Sequence, residues 1–85
     1  MDDPDRFGIT MDPKTALQEL AVARGLGDVV YTIEARGPDH ARMFSARAVV
    51  GGVVLGDGDG SSKKAAESAA ALEAVVSIRA GEPHA

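Results

Sequence analysis

Residues 54–67 have the sequence Val-Leu-Gly-Asp-Gly-Asp-Gly-Ser-Ser-Lys-Lys-Ala-Ala-Glu. The apolar start, followed by glycines and polar residues, predicts a strand over about 53–58 that runs into a turn. Ser62 is a good N-cap, so the alanine-rich sequence after it predicts a helix to about residue 78. Alanines at helical spacing let such a helix lie very close to a sheet, which suits a chain too short for a thick core. The alanines expected to face the sheet are Ala66, Ala70 and Ala74.

A first helix is predicted upstream of the strands. Asp12 is a good N-cap, and Pro13 then occupies the first helical position, where its missing N–H costs nothing. Gly25 is the expected end of the helix. The residues at core spacing are Leu17, Leu20, Ala21 and Arg24. A second, mainly polar stripe consists of Thr15, Gln18, Glu19 and Val22.

Two more strands are predicted between this helix and the 53–58 strand. They cover about 29–36 and 43–50, where apolar and polar residues alternate. A loop at 37–40 separates them, and two glycines at 51–52 mark a tight hairpin. Consecutive strands with short links pair antiparallel, so the predicted fold class is α+β. The expected architecture is an α-β-β-β-α sandwich, with a three-stranded antiparallel sheet and two helices packed on one face.

Length, composition and charge favour one small domain. The chain has 85 residues and no cysteine, which excludes a disulfide framework and a thiolate metal site. Its net charge is −4, and most of the negative excess lies in residues 1–12. The domain is expected at 12–78, with a flexible leader at 1–11 and a flexible tail at 79–85. No secretion signal or membrane span is visible, so a cytoplasmic protein without membrane contact is expected.

Enzymatic chemistry has little support among the residues. No Ser/His/Asp or Cys/His set is available, because His40 is the only histidine expected in the ordered part. Asp57 and Asp59 would share one sheet face, but no third ligand follows at a metal-binding spacing. No catalytic residue and no metal ligand is therefore assigned. A small metal-dependent hydrolase using these two carboxylates is kept as a remote alternative.

Lys63 and Lys64 in the first turn of the second helix are either an ordinary pair of exposed lysines or part of a ligand site. Cations at a helix N-terminus are disfavoured by about 0.3–1 kcal/mol, because they oppose the helix dipole. A phosphate group would reverse this effect, since free backbone N–H groups, the dipole and both ammonium groups would all attract it. The run is not a Walker A motif, because the Gly-x-x-x-x-Gly-Lys-Ser/Thr spacing is absent.

Several separated stretches agree in order and spacing with one known family. They are Asp-Pro-Lys-Thr-Ala-Leu-Gln-Glu-Leu (12–20), Ala-Arg-Gly-Leu-Gly (23–27), Tyr-Thr-Ile-Glu (31–34), Gly-Pro-Asp-His (37–40), Phe44 and residues 54–67 with the alanines that follow. This set resembles the double-stranded RNA-binding domain (dsRBD), most closely the C-terminal domain of bacterial ribonuclease III. The resemblance covers about residues 12–78.

The resemblance implies binding to double-stranded RNA, and not to DNA, by A-form shape, 2′-hydroxyls and phosphates. The first helix would meet one minor groove, the 37–40 loop would enter the next, and the lysines would bridge the phosphates between them. The implied RNA-binding residues are Thr15, Gln18 and Glu19, then Gly37, Pro38, Asp39 and His40, and finally Ser62, Lys63 and Lys64. The module would be a monomer without a cofactor. In the suspected parent protein it would be covalently linked to a nuclease domain, absent from this chain, that uses Mg²⁺.

Three positions depart from the family pattern. Ser61 and Glu67 stand where many members have basic residues, and Val22 continues the polar stripe of the first helix without a polar group. Weak, salt-sensitive binding is therefore expected. The same departures leave an alternative: a degenerate dsRBD that serves as a protein–protein or dimerisation module without RNA binding.

Overall fold

The computed structural model describes residues 12–81 and has the predicted element order. The elements are α1 (Pro13–Arg24), β1 (Val29–Arg36), a short 3-10 turn (Asp39–Ala41), β2 (Met43–Val50), β3 (Val53–Gly60) and α2 (Lys63–Ala80). The strands form one antiparallel sheet in the order β1-β2-β3. The α-β-β-β-α fold class is thereby confirmed.

The hairpin between β2 and β3 depends on a glycine with a left-handed backbone. Gly51 has φ 58°, and its N–H donates to the carbonyl oxygen of Asp28 at 2.9 Å. A side chain at this position would also collide with the carbonyl oxygen of Leu26. One bulge interrupts the β2–β3 pairing, between Ala48 and Val49. The hairpin therefore packs against the segment that joins α1 to β1.

The inner face of β3 carries glycines at positions 56, 58 and 60, and α2 packs directly against their backbone. A Cβ added at Gly56 would come within 2.5 Å of the Ala70 carbonyl oxygen, and one added at Gly58 within 2.5 Å of the Ala70 nitrogen. At Gly60 it would lie 2.8 Å from the nitrogen of Ala66. Backbone atoms cannot give way cheaply, so the alternating glycines are needed for this close approach.

The core is thin and built largely from alanine. Leu17 is the largest fully buried side chain, and α2 contributes four buried alanines, at positions 66, 70, 71 and 74. On β2 the buried residues are Ala46, Ala48 and Val50, which alternate along the strand and face the helices. Because α1 shares this core, both helices cover the same face of the sheet.

Two element ends and one helix cap differ from the sequence-based expectation. β3 extends to Gly60 rather than to about residue 58, because its glycines continue to pair with β2. α2 continues to Ala80, so the first two residues of the predicted tail are helical. Asp12 occupies the N-cap position of α1, but its side chain makes no capping hydrogen bond. The predicted leader at 1–11 and residues 82–85 lie outside the described part of the chain.

Neither helix among residues 12–81 is long and apolar enough to cross a membrane.

Candidate nucleic-acid interface

The exposed polar face of α1 carries the first group of predicted RNA-binding residues. Thr15, Gln18 and Glu19 are all exposed, and they border a shallow groove between α1 and β1. The stripe continues into Val22, which is 71% exposed. The face therefore offers a hydroxyl, an amide and a carboxylate along one side of a single helix, ending in an apolar residue.

The 37–40 loop has a fixed shape. Gly37 has φ 91°, and a Cβ there would lie 2.8 Å from the Ala41 carbonyl oxygen, so only glycine fits without strain. The Ala41 N–H donates to the Pro38 carbonyl oxygen at 2.9 Å and closes a turn of 3-10 helix. His40 is exposed within this turn. The loop thus presents the imidazole from a compact, hydrogen-bonded support.

Arg42 is a residue of this loop region that the sequence analysis did not single out. Its Nη2 donates to Asp39 Oδ1 at 2.6 Å, and the Asp39 side chain is 94% exposed. An exposed carboxylate would otherwise repel a polyanion, and the guanidinium offsets that charge. The spacing of three residues between the two side chains was a local signal that could have identified the pair.

The start of α2 carries the third group. Ser62 Oγ accepts a hydrogen bond from the Ala65 N–H at 3.1 Å, which confirms it as the N-cap. Lys63 and Lys64 are exposed in the first turn, and neither has an ion-pair partner among residues 12–81. Their ammonium groups and the free N–H groups of this helix end can therefore reach the same anion.

Strand register places the loop and the start of α2 at the same end of the sheet. Phe44, near the start of β2, pairs with Ala35 near the end of β1 and with Gly60 at the end of β3. The 37–40 loop joins the first two of these strands, and α2 begins just after the third. The two groups therefore project from one edge of the molecule.

A contact between the helices brings the α1 face toward this edge. Lys14, next to Thr15, donates from Nζ to Glu67 Oε1 at 2.6 Å. Glu67 lies one helical turn after Lys63. The first turn of α1 thus lies beside the first turns of α2, at the end of the sheet that carries the β1–β2 loop.

Sequence analysis missed the Lys14–Glu67 pair. It noted only that Glu67 stands where many family members have a basic residue. The hydrogen bond to Glu67 is the main cause that raises the pKa of Lys14 above its ordinary value of 10.5. Burial raises the pKa of the neighbouring Tyr31 phenol. No local signal could have identified the pair, because 53 positions separate the two residues.

The two carboxylates of the remote hydrolase alternative lie on the opposite, outer face of the sheet. Asp59 Oδ1 accepts a hydrogen bond from Ser45 at 2.7 Å, and Ser45 in turn accepts one from Arg36. Asp57 pairs in register with Arg47 on β2. Within residues 12–81 no group of three or more His, Asp or Glu side chains could hold a metal ion. These side chains belong to a polar cross-strand network.

Comparison with known protein families identifies one match. A family model described as the double-stranded RNA binding motif matches residues 13–77. This range contains every residue assigned to the candidate interface.

Curated relatives are bacterial proteins named ribonuclease 3. The protein from Leifsonia xyli is 58% identical over 72 residues, which are 85% of this chain and 30% of that protein. The protein from Streptomyces coelicolor is 51% identical over 74 residues, covering 87% of this chain and 27% of that protein. The Mycobacterium tuberculosis protein is 46% identical, with coverage of 87% and 31%. The chain therefore spans about 30% of the length of these relatives.

A solved structure has the same fold. The solution structure of both dsRBDs of DRB4 with their linker matches with a TM-score of 0.72 and 34% sequence identity. The match covers 89% of this chain and 50% of that chain.

Proposed function

Because this chain belongs to the double-stranded RNA-binding motif family, we propose that it binds double-stranded RNA through the interface formed by α1, the 37–40 loop and the start of α2. An A-form duplex has a shallow minor groove lined with 2′-hydroxyls and a major groove too deep and narrow for side chains. A protein that binds this surface needs groups for two minor grooves and cations for the phosphates between them.

Each group of the interface suits one part of that surface. Thr15 and Gln18 can donate to and accept from 2′-hydroxyls and base edges, whereas the carboxylate of Glu19 can only accept. His40 and the loop backbone would contact sugars in the next minor groove. Lys63 and Lys64 would bind phosphates, supported by the N–H groups at the start of α2.

The observation that carries this proposal is the unpaired state of the two lysines at the start of α2. They oppose the helix dipole, they have no ion-pair partner among residues 12–81, and they share one edge of the molecule with the loop. In a chain with net charge −4, two cations that have no ion-pair partner in the described part of the chain, beside exposed helix N–H groups, favour an anionic ligand at that place.

The parent protein is proposed to be a bacterial ribonuclease III, in which this domain binds the substrate. Identity of 45–58% to ribonuclease 3 proteins, each much longer than this chain, supports the assignment. A covalently linked nuclease domain would then carry the catalytic residues and use Mg²⁺. These relatives do not favour the alternative of a dimerisation module without RNA binding.

A titration against a 20-base-pair RNA duplex and the matching DNA duplex at two salt concentrations tests the RNA-binding function. Binding of the RNA alone, with an affinity that falls as salt rises, is the expected result, because only RNA offers A-form minor grooves with 2′-hydroxyls. Equal binding of both duplexes would contradict recognition by shape and 2′-hydroxyls. Absence of binding to either at low salt, with a dimer in sedimentation, would indicate the dimerisation module instead.

A further inference from the structure

The Lys14–Glu67 ion pair connects three elements. Besides the 2.6 Å hydrogen bond to Glu67 on α2, the Lys14 ammonium lies 5.1 Å from the ring centroid of Tyr31 on β1. The Lys14 and Glu67 side chains are only 37% and 20% exposed. Salt screens a partly enclosed pair less than it screens exposed charges. A rise in salt should therefore weaken this ion pair less than it weakens an exposed one.

The pair holds the end of α1 that the core does not hold. α1 packs mainly against α2 and only slightly against β1. Its buried residues are Leu17, Leu20 and Ala21, all beyond the first turn. Lys14 lies in the first turn, directly before Thr15. Within this first turn, the hydrogen bond to Glu67 joins α1 to α2.

The same pair keeps a carboxylate away from the lysines at the start of α2. Glu67 follows Lys63 by four residues and Lys64 by three, and opposite charges at these spacings attract each other along a helix. A carboxylate without another partner would draw the two ammonium groups back onto α2. Because the Glu67 carboxylate already accepts a hydrogen bond from Lys14, Lys63 and Lys64 remain available for phosphates.

We propose that Lys14 and Glu67 are positioning residues for RNA binding, which set the polar face of α1 against the start of α2 and keep the two lysines free. The proposal rests on the RNA-binding function. It predicts a change in RNA affinity opposite in direction to the change that simple electrostatics predicts. Removing the negative charge of Glu67 beside a polyanion should strengthen binding if charge alone mattered. If the pair positions the helices, the neutral variant Glu67→Gln should weaken binding.

The test compares RNA affinity for Glu67→Gln, Lys14→Met and the double variant, at several salt concentrations. Each single change should weaken binding by about two- to five-fold, the range expected when a partly exposed ion pair is removed. The double variant should bind no worse than either single variant, because both changes abolish the same ion pair. The dependence of affinity on salt should be unchanged, since neither residue binds a phosphate.

Two further variants separate positioning from other causes. Lys14→Arg keeps a cation that can donate to Glu67 and lie against Tyr31. This variant should therefore bind RNA nearly as well as the unsubstituted chain. Glu34→Gln makes the same charge change on the outer sheet face and should leave affinity unchanged or slightly higher. All titrations are made at a temperature at which circular dichroism shows every variant fully folded.

Different failures point to different errors. Unchanged or tighter binding by Glu67→Gln would overturn the positioning role while leaving RNA binding intact. A salt dependence for Lys14→Met that is shallower by about 0.9 would show that Lys14 itself binds a phosphate, and would also overturn it. Absence of RNA binding by the unsubstituted chain would overturn the proposed function and this inference together.

Discussion

At the residue scale, the two lysines at the start of α2 should have opposite effects on folding and on binding. Each opposes the helix dipole, so replacing Lys63 or Lys64 by alanine should leave the free energy of unfolding unchanged or raise it by up to about 1 kcal/mol. Each also binds a phosphate, so the same change should weaken RNA binding. The slope of log affinity against log salt should become shallower by about 0.9 for each phosphate that is no longer neutralised.

Arg79→Ala is the matched control for this prediction, because it removes one positive charge from the far end of the same helix. Its RNA affinity and salt slope should stay close to those of the parent chain. Chemical denaturation measures the stability, and titration at three or more salt concentrations measures the slope. Unchanged affinity in a variant that lacks both lysines would refute the binding of phosphates by this helix end.

At the element scale, the packing of α2 on β3 fixes the distance between helix and sheet. The glycines at 56, 58 and 60 and the alanines facing them leave no room for another methyl group. Gly58→Ala or Ala70→Leu should therefore lower the free energy of unfolding by about 1–3 kcal/mol, the usual cost of overpacking. Gly81→Ala is the control, because the nearest atoms to a Cβ there are 3.7 Å away. Normal thermal unfolding of Gly58→Ala and Ala70→Leu would mean that the helix does not lie close to the sheet at these positions.

The same elements show how much of the fold and site sequence could predict. Local signals marked most element ends: Pro13 after Asp12, the two glycines at 51–52 and Ser62 before a run of alanines. The end of β3 was misjudged, because its glycines were interpreted as the end of a strand rather than as space for α2. The site residues on α1, the loop and α2 follow from local patterns and a family resemblance. The Lys14–Glu67 tie could not be predicted, since it arises only when the two helices pack together.

At the scale of the whole molecule, two separated binding regions require a minimum length of duplex. A dsRBD that uses α1 in one minor groove and the loop in the next spans about 16 base pairs, so a duplex of about half that length can engage only one region. Affinity for the short duplex should be lower, even after correction for the number of positions at which the protein can bind. In the same way, the gain from two linked binding regions disappears when geometry forbids simultaneous engagement.

Measuring substituted chains on duplexes of two lengths tests whether α1 and the loop bind different minor grooves. His40→Ala should weaken binding to the long duplex, because the loop then has no imidazole to place in the second minor groove. On the short duplex it should have no effect, since α1 already occupies the only minor groove available. Gln18→Ala is the matched change on α1 and should weaken binding to both lengths. An equal reduction in affinity from His40→Ala on both duplexes would place the loop and α1 in the same groove, and the two-groove arrangement would then be wrong.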